Sequence, residues 1–91
     1  MPTWEIRVRG KVQGVGFRAY VVKLAGDLGV TGEVWNSRTG DVEMHAHHSN
    51  ESVLAAFEAG LHDGPGRVGV VTHRSAVGAP ELTDFRIAAS R

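Results

Sequence analysis

The sequence predicts a small α+β sandwich: one antiparallel sheet, two helices on a single face and a short fifth strand at the edge. Three observations point there. The hydrophobic period switches between two and about 3.6 residues in the order β-α-β-β-α-β. Both helical stretches are apolar on one side only, so a shared sheet must cover them. The chain has 91 residues, enough for one domain with a modest core, since a chain near this size buries only about 60–65% of its unfolded surface. A doubled β-α-β unit of this kind is the ferredoxin-like, split β-α-β arrangement, with residues 1–91 forming a single domain.

Each element has its own signature. Trp4, Ile6 and Val8 alternate with Glu5, Arg7 and Arg9, as in a half-buried strand. Gly10 to Gly16, with three glycines in seven residues, breaks that period. Phe17, Val21, Leu24, Ala25 and Leu28 then recur at helical spacing on one face, and Gly29 is placed to close the helix. Val30 to Ser37 and Asp41 to His48 form a hairpin around Thr39-Gly40. Val34 and Asn36 share one face of its first strand, and Val42, Met44 and Ala46 one face of its second. Ser49 or Asn50 caps a second helix built on Val53, Leu54, Phe57 and Leu61, and Gly64-Pro65-Gly66 stops it. Val68 to Thr72 is a fourth strand, Ala76–Pro80 a loop, and Phe85, Ile87 and Ala89 alternate in a short fifth strand. In this order the first two strands run parallel with the third between them. The loop after the first strand and the end of the second therefore meet at one edge of the sheet.

Apolar residues make up 42% of the chain and charged ones 22%, an ordinary soluble balance. The absence of cysteine excludes a disulfide scaffold, thiolate-bound zinc or iron–sulfur clusters, and a cysteine nucleophile. No apolar run approaches the roughly 20 residues of a membrane span, and the first residues lack a signal-peptide pattern. A cytoplasmic, monomeric protein with no membrane partner is the expectation. Ten basic and ten acidic side chains give a formal charge of zero, which argues against broad nucleic-acid binding. The balance is uneven: Arg7, Arg9, Lys11, Arg18 and Lys23 against Glu5 leave residues 1–23 at +4, and residues 24–91 at −4. A locally basic segment suits one small anion.

The segment Gly10-Lys11-Val12-Gln13-Gly14-Val15-Gly16-Phe17-Arg18 runs from strand to helix. Its glycines permit positive φ, so successive backbone N–H groups can converge as an anion nest. The free N–H groups and dipole of the helix start favour negative charge there, and the planar fork of Arg18 suits two phosphate oxygens. Two common nucleotide loops do not fit. The loop ends Gly-Phe-Arg rather than Gly-Lys-Ser/Thr, and Ala19 stands where a dinucleotide fingerprint needs its third glycine.

Val12-Gln13-Gly14-Val15-Gly16-Phe17-Arg18 resembles the signature of the acylphosphatase family. A second family motif, Gly-x-Val-x-Asn-x-x-x-Gly-x-Val, is matched in register by Gly32, Val34, Asn36, Gly40 and Val42. Gly64-Pro65 and Phe85-Arg86-Ile87 extend the likeness over nearly the whole chain. The resemblance implies hydrolysis of acyl phosphates to a carboxylate and inorganic phosphate, with no cofactor, metal or obligate protein partner. It carries over Arg18 as the phosphate binder and Asn36 as the residue that orients the attacking water. The backbone N–H groups of Gln13, Gly14, Val15, Gly16, Phe17 and Arg18 would complete the phosphate loop.

Such chemistry needs little machinery. The leaving carboxylate has a conjugate acid with a pKa of about 4, so it departs unprotonated and no general acid is required. Phosphoryl transfer asks mainly for positioning and for stabilised charge on the equatorial oxygens. A neutral amide such as Asn36 can aim a water but is too weak a base to deprotonate it, which leaves a substrate phosphate oxygen to accept the proton.

Other residues read more plainly. His45, His47 and His48 form a cluster in which His45 and His47 share a face with Glu43, but a metal usually takes more ligands, and a solvent-facing strand end is the expectation. The family often has an aromatic at Glu33, whereas this chain has Trp35 two positions on, as a cover for the outer sheet face. Ser37 reads as a turn-initiating serine, Tyr20 as a flank of the Gly-rich loop, and Phe17 as core. Three other functions are weaker: a non-catalytic anion-binding module, which would be expected to lose Arg18 or Asn36; a piece of a larger carbamoyl-phosphate-processing enzyme, which would continue into Cys-rich zinc motifs; and an RNA-binding module, which would want aromatics on both central strands.

Overall fold

The computed structural model describes residues 2–91; Met1, where the stretch read for a targeting signal begins, lies outside them. The elements follow in the order β1 (Thr3–Lys11), α1 (Phe17–Leu28), β2 (Thr31–Asn36), β3 (Val42–His47), α2 (Glu51–Leu61), β4 (Arg67–Ser75) and β5 (Phe85–Ile87). The strands form one sheet in the order β4-β1-β3-β2-β5. β1 and β2 both pair antiparallel with β3, so they run parallel to each other on either side of it. Alternation sends Ile6, Val8, Val34, Val42, Met44 and Ala46 to the helix-covered face, where they meet Phe17, Val21 and Ala25 of α1 and Leu54, Phe57 and Leu61 of α2, all buried. Both helices end as their sequences dictate. Gly29, at φ 71°, closes α1 in the left-handed conformation, and Asn50 caps α2 by accepting a hydrogen bond from Ser52 N–H at 2.9 Å.

The sheet departs from the expected antiparallel arrangement at one edge: β5 pairs with β2 in parallel, making the sheet mixed. The cause is the route of the chain. β4 runs antiparallel to β1, so it leaves the sheet at the end where β1 and β2 begin, and the next strand laid beside β2 must run with it. The 76–84 connection makes that crossing. Ala76 N–H donates to Thr3 O at 2.9 Å, and Gly32 N–H donates to Asp84 O at 2.8 Å.

That crossing corrects the expectation of a solvent-facing histidine cluster. His47 is 1% exposed, with Thr3 Oγ1 hydrogen-bonded to its Nδ1 at 2.6 Å and Pro80 and Glu81 beside its ring. Burial pushes its pKa below the ordinary histidine value. His45 instead turns its ring edge-on to Trp35, with centroids 5.1 Å apart, and His48 Nδ1 accepts from Asn50 N–H at 2.9 Å. Among the described residues no group of three His, Asp or Glu side chains is gathered to hold a metal ion.

Trp35 covers the outer face as its position suggests, and the chain's last residue covers Trp35. The Arg91 guanidinium lies 3.9 Å from its ring centroid while bonding Glu33 Oε1 at 2.8 Å, and Trp35 Nε1–H donates to Glu43 Oε1 at 3.1 Å. Tyr20 is the second correction. It docks α1 on α2 rather than flanking the loop, because its hydroxyl donates to Gly60 O at 2.7 Å.

Candidate active site

Strand pairing brings the two sequence motifs to the same end of the sheet. Val42 on β3 pairs with Val8 on one side and with Asn36 on the other. β1 therefore stops pairing with β3 at Val8, level with Asn36 and two strand spacings or roughly 10 Å from it, and runs on beside β4 to Lys11 before the Gly-rich passage turns into α1. Asn36 shares parity with the buried Val34 and so faces the helix layer. The passage itself is bound to the far side of this hairpin. Gln13 Nε2 donates to Ser37 O at 2.8 Å and to Asp41 O at 2.9 Å.

Within the passage Val12 is buried as an anchor, and Gly14 and Gly16 take φ values of 73° and 82°. A Cβ at either glycine would meet nothing within 4 Å, so the left-handed backbone, rather than crowding, requires glycine there. A left-handed backbone of this kind is what an anion nest requires. Gly16 caps α1 with no side-chain hydrogen bond, and the first turn contains no acid, so the orphan N–H groups of Phe17, Arg18 and Ala19 and the positive dipole end have no competing acceptor on the helix. Phe17 is 1% exposed and fixes the helix start in the core, as its sequence position indicates.

Arg18 is half-buried and, unlike Arg7, Arg9, Arg74 and Arg91, makes no ion pair among the described residues. It lines a cleft of about 160 Å³ with Val12, Gly14, Gly16, Phe17, Ala19 and Ile87. A larger hollow on the outer face, about 210 Å³, is lined by Glu5 and Arg74, which are already bonded to each other at 2.7 Å. The Gly-rich cleft, unlike that hollow, keeps a cation unpaired among the described residues. The Asn36 Oδ1 is also uncommitted: it is buried with no hydrogen-bond partner among the described residues. A buried acceptor left open costs roughly 1–3 kcal/mol, which a hydrogen bond from a bound molecule would offset.

Two contributors escaped the sequence reading. Ile87 reaches the cleft because β5 lies beside β2, with Ile87 paired to Val34; its alternation with Phe85 was visible, but not its neighbour. The Gln13 side chain was read only through its backbone. Ser37 behaves as a turn residue, its hydroxyl accepting from Thr39 N–H at 3.3 Å.

Fold and edge together define a class, an α+β sandwich with a Gly-rich passage between its first strand and an arginine-bearing first helix. Comparison with known proteins makes this specific. The family model described as Acylphosphatase matches residues 4–87. The chain is 39% identical over 88 residues to an acylphosphatase of Lactococcus lactis subsp. lactis (strain IL1403), a match covering 88% of this chain and 91% of that one. It also resembles the crystal structure of acylphosphatase from Bacillus subtilis, with a TM-score of 0.89, 30% identity and coverage of 97% and 99%. An acylphosphatase from Coxiella burnetii gives a TM-score of 0.86 at 35% identity, with coverage of 96% and 92%. The chain belongs to the acylphosphatase family.

Proposed function

We propose that the chain hydrolyses acyl phosphates by attack of water at phosphorus, with the phosphoryl group held by the backbone N–H groups from Gln13 to Arg18 and by the Arg18 guanidinium. Asn36 aims the water. The nest and Arg18 neutralise charge on the equatorial oxygens, which is where a loose phosphoryl-transfer transition state carries it. The carboxylate leaves without a proton because its conjugate acid is strong, and the proton of the attacking water passes to a phosphate oxygen of the substrate. Asn36 needs only to accept a hydrogen bond, a role open to a neutral amide.

The observation that carries the reading is the buried Oδ1 of Asn36, without a hydrogen-bond partner among the described residues, next to the turn to which Gln13 of the Gly-rich passage is bonded. Family membership supports the reaction class. The substrate is a small acyl phosphate, and the reading has the domain act in the cytoplasm as a monomer, without a metal, nucleic acid or protein partner. Hydrolysis of benzoyl phosphate in excess chelator, measured beside the Asn36→Ala and Arg18→Ala proteins, tests it. The reading expects native turnover to survive chelation and both variants to lose it. Loss of native activity in chelator, or full activity in Asn36→Ala, overturns it.

A further inference from the structure

We infer that the Gln13 side chain is a positioning residue, a clamp that sets the distance between the phosphate nest and Asn36; the inference rests on the roles proposed above for those two parts. Gln13 occupies the middle of the Gly-rich passage, yet its amide does not face the cleft. Both partners of Nε2 are carbonyl oxygens, Ser37 O at 2.8 Å and Asp41 O at 2.9 Å. Only the NH₂ end of the amide can serve two acceptors, so its orientation is dictated by chemistry and both of its protons are used.

Those two carbonyls are not arbitrary. They are the closing groups of the β2–β3 turn: Ser37 N–H donates to Asp41 O at 2.9 Å, and Gly40 N–H donates to Ser37 O at 3.1 Å. Each oxygen therefore accepts two hydrogen bonds, one from the turn itself and one from Gln13, which fills both lone pairs. Ser37 directly follows Asn36. On its other side Asn36 is held by Arg91, whose N–H donates to Asn36 O at 2.9 Å. The phosphate nest and the hairpin end are separate pieces of chain, and Gln13 is the side chain that joins them through two bonds. Its removal leaves each piece folded and frees one to shift against the other. A displacement of about 1 Å between reacting groups can lower turnover about 10²-fold.

The clamp makes a prediction that a general stabilising role does not. In Gln13→Ala, kcat for benzoyl phosphate should fall at least tenfold, while the inhibition constant of inorganic phosphate, which reads the nest alone, changes less than threefold. In an Asn36→Ala background the same substitution should lower kcat by less than twofold, because an unaligned water has no alignment left to lose. Gln13→Glu adds a titratable test. Its carboxylate would face two carbonyl oxygens and donate nothing, but its protonated form regains one donor. Its kcat relative to native should therefore recover severalfold between pH 8 and pH 5. An unchanged kcat in Gln13→Ala, a phosphate constant that rises as much as kcat falls, a multiplicative loss in the double variant, or a flat relative pH profile for Gln13→Glu would each overturn the clamp. Full activity of Asn36→Ala with native Gln13 would instead overturn the function on which it rests.

Discussion

Replacing Asn36 with alanine should make the protein both slower and more stable. Its Oδ1 is a buried acceptor without a partner among the described residues. Removing such a group relieves a desolvation cost of about 1–3 kcal/mol. Against this stands the packing lost with the amide, about 1 kcal/mol for a small truncation at a half-buried site. The net expectation is a gain of about 1 kcal/mol, equivalent to roughly 4–8 °C in Tm for a domain of this size. Turnover should move the other way. Loss of a positioned hydrogen-bonding group costs about 10²-fold in kcat, or about 2.7 kcal/mol of barrier, and KM should stay within about threefold because the nest still holds the phosphoryl group. Thermal unfolding and steady-state hydrolysis of benzoyl phosphate measure both quantities on one preparation. A Tm that falls by several degrees would refute the reasoning, since it would mean that Asn36 serves the fold, and so would a kcat within twofold of native.

Two further outcomes follow from the same geometry. Arg18→Lys keeps the charge but loses the fork, and should weaken inhibition by inorganic phosphate about tenfold, with Arg18→Ala weaker still; equal inhibition constants for native and Arg18→Ala would remove Arg18 from the phosphate site. His47 is held below its ordinary pKa by burial, so the unfolded chain binds this proton more readily than the folded one. Its contribution to stability is then full above about pH 6.5 and declines as pH drops through the folded-state value, with a slope of at most about 1.4 kcal/mol per pH unit. Urea unfolding between pH 7.5 and 5.5 should show a shallower decline in His47→Gln than in the native protein, and identical slopes would contradict the assignment.

What was legible in the sequence was whatever depends on local period. Alternation at Trp4–Arg9 and helical spacing from Phe17 to Leu28 placed β1 and α1, and Asn50 marked the start of α2 by its side-chain chemistry. Parity alone put Asn36 on the face of Val34. Features that depend on which strand meets which were not legible. The parallel pairing of β5 follows from the end at which β4 leaves the sheet, and nothing within Phe85–Ile87 records that. His47 alternates like an outward residue, and its burial depends on the 76–84 crossing, a stretch without period. Gln13 is a similar case: the spacing of a side chain with two equivalent donors gives no hint that both will be spent on a turn 24 and 28 residues away. The left-handed glycines of the passage were legible because their physics is local; the join between passage and hairpin is tertiary.

The central claim is that water attacks phosphorus, guided from β2, while the acyl group leaves as an intact carboxylate. Hydrolysis of benzoyl phosphate in ¹⁸O-labelled water, with the products separated and weighed by mass spectrometry, tests it most directly. The label should enter inorganic phosphate and leave benzoate unlabelled. Label in benzoate would mean attack at the carbonyl carbon, and neither the phosphate nest nor the aim of Asn36 would then describe the reaction.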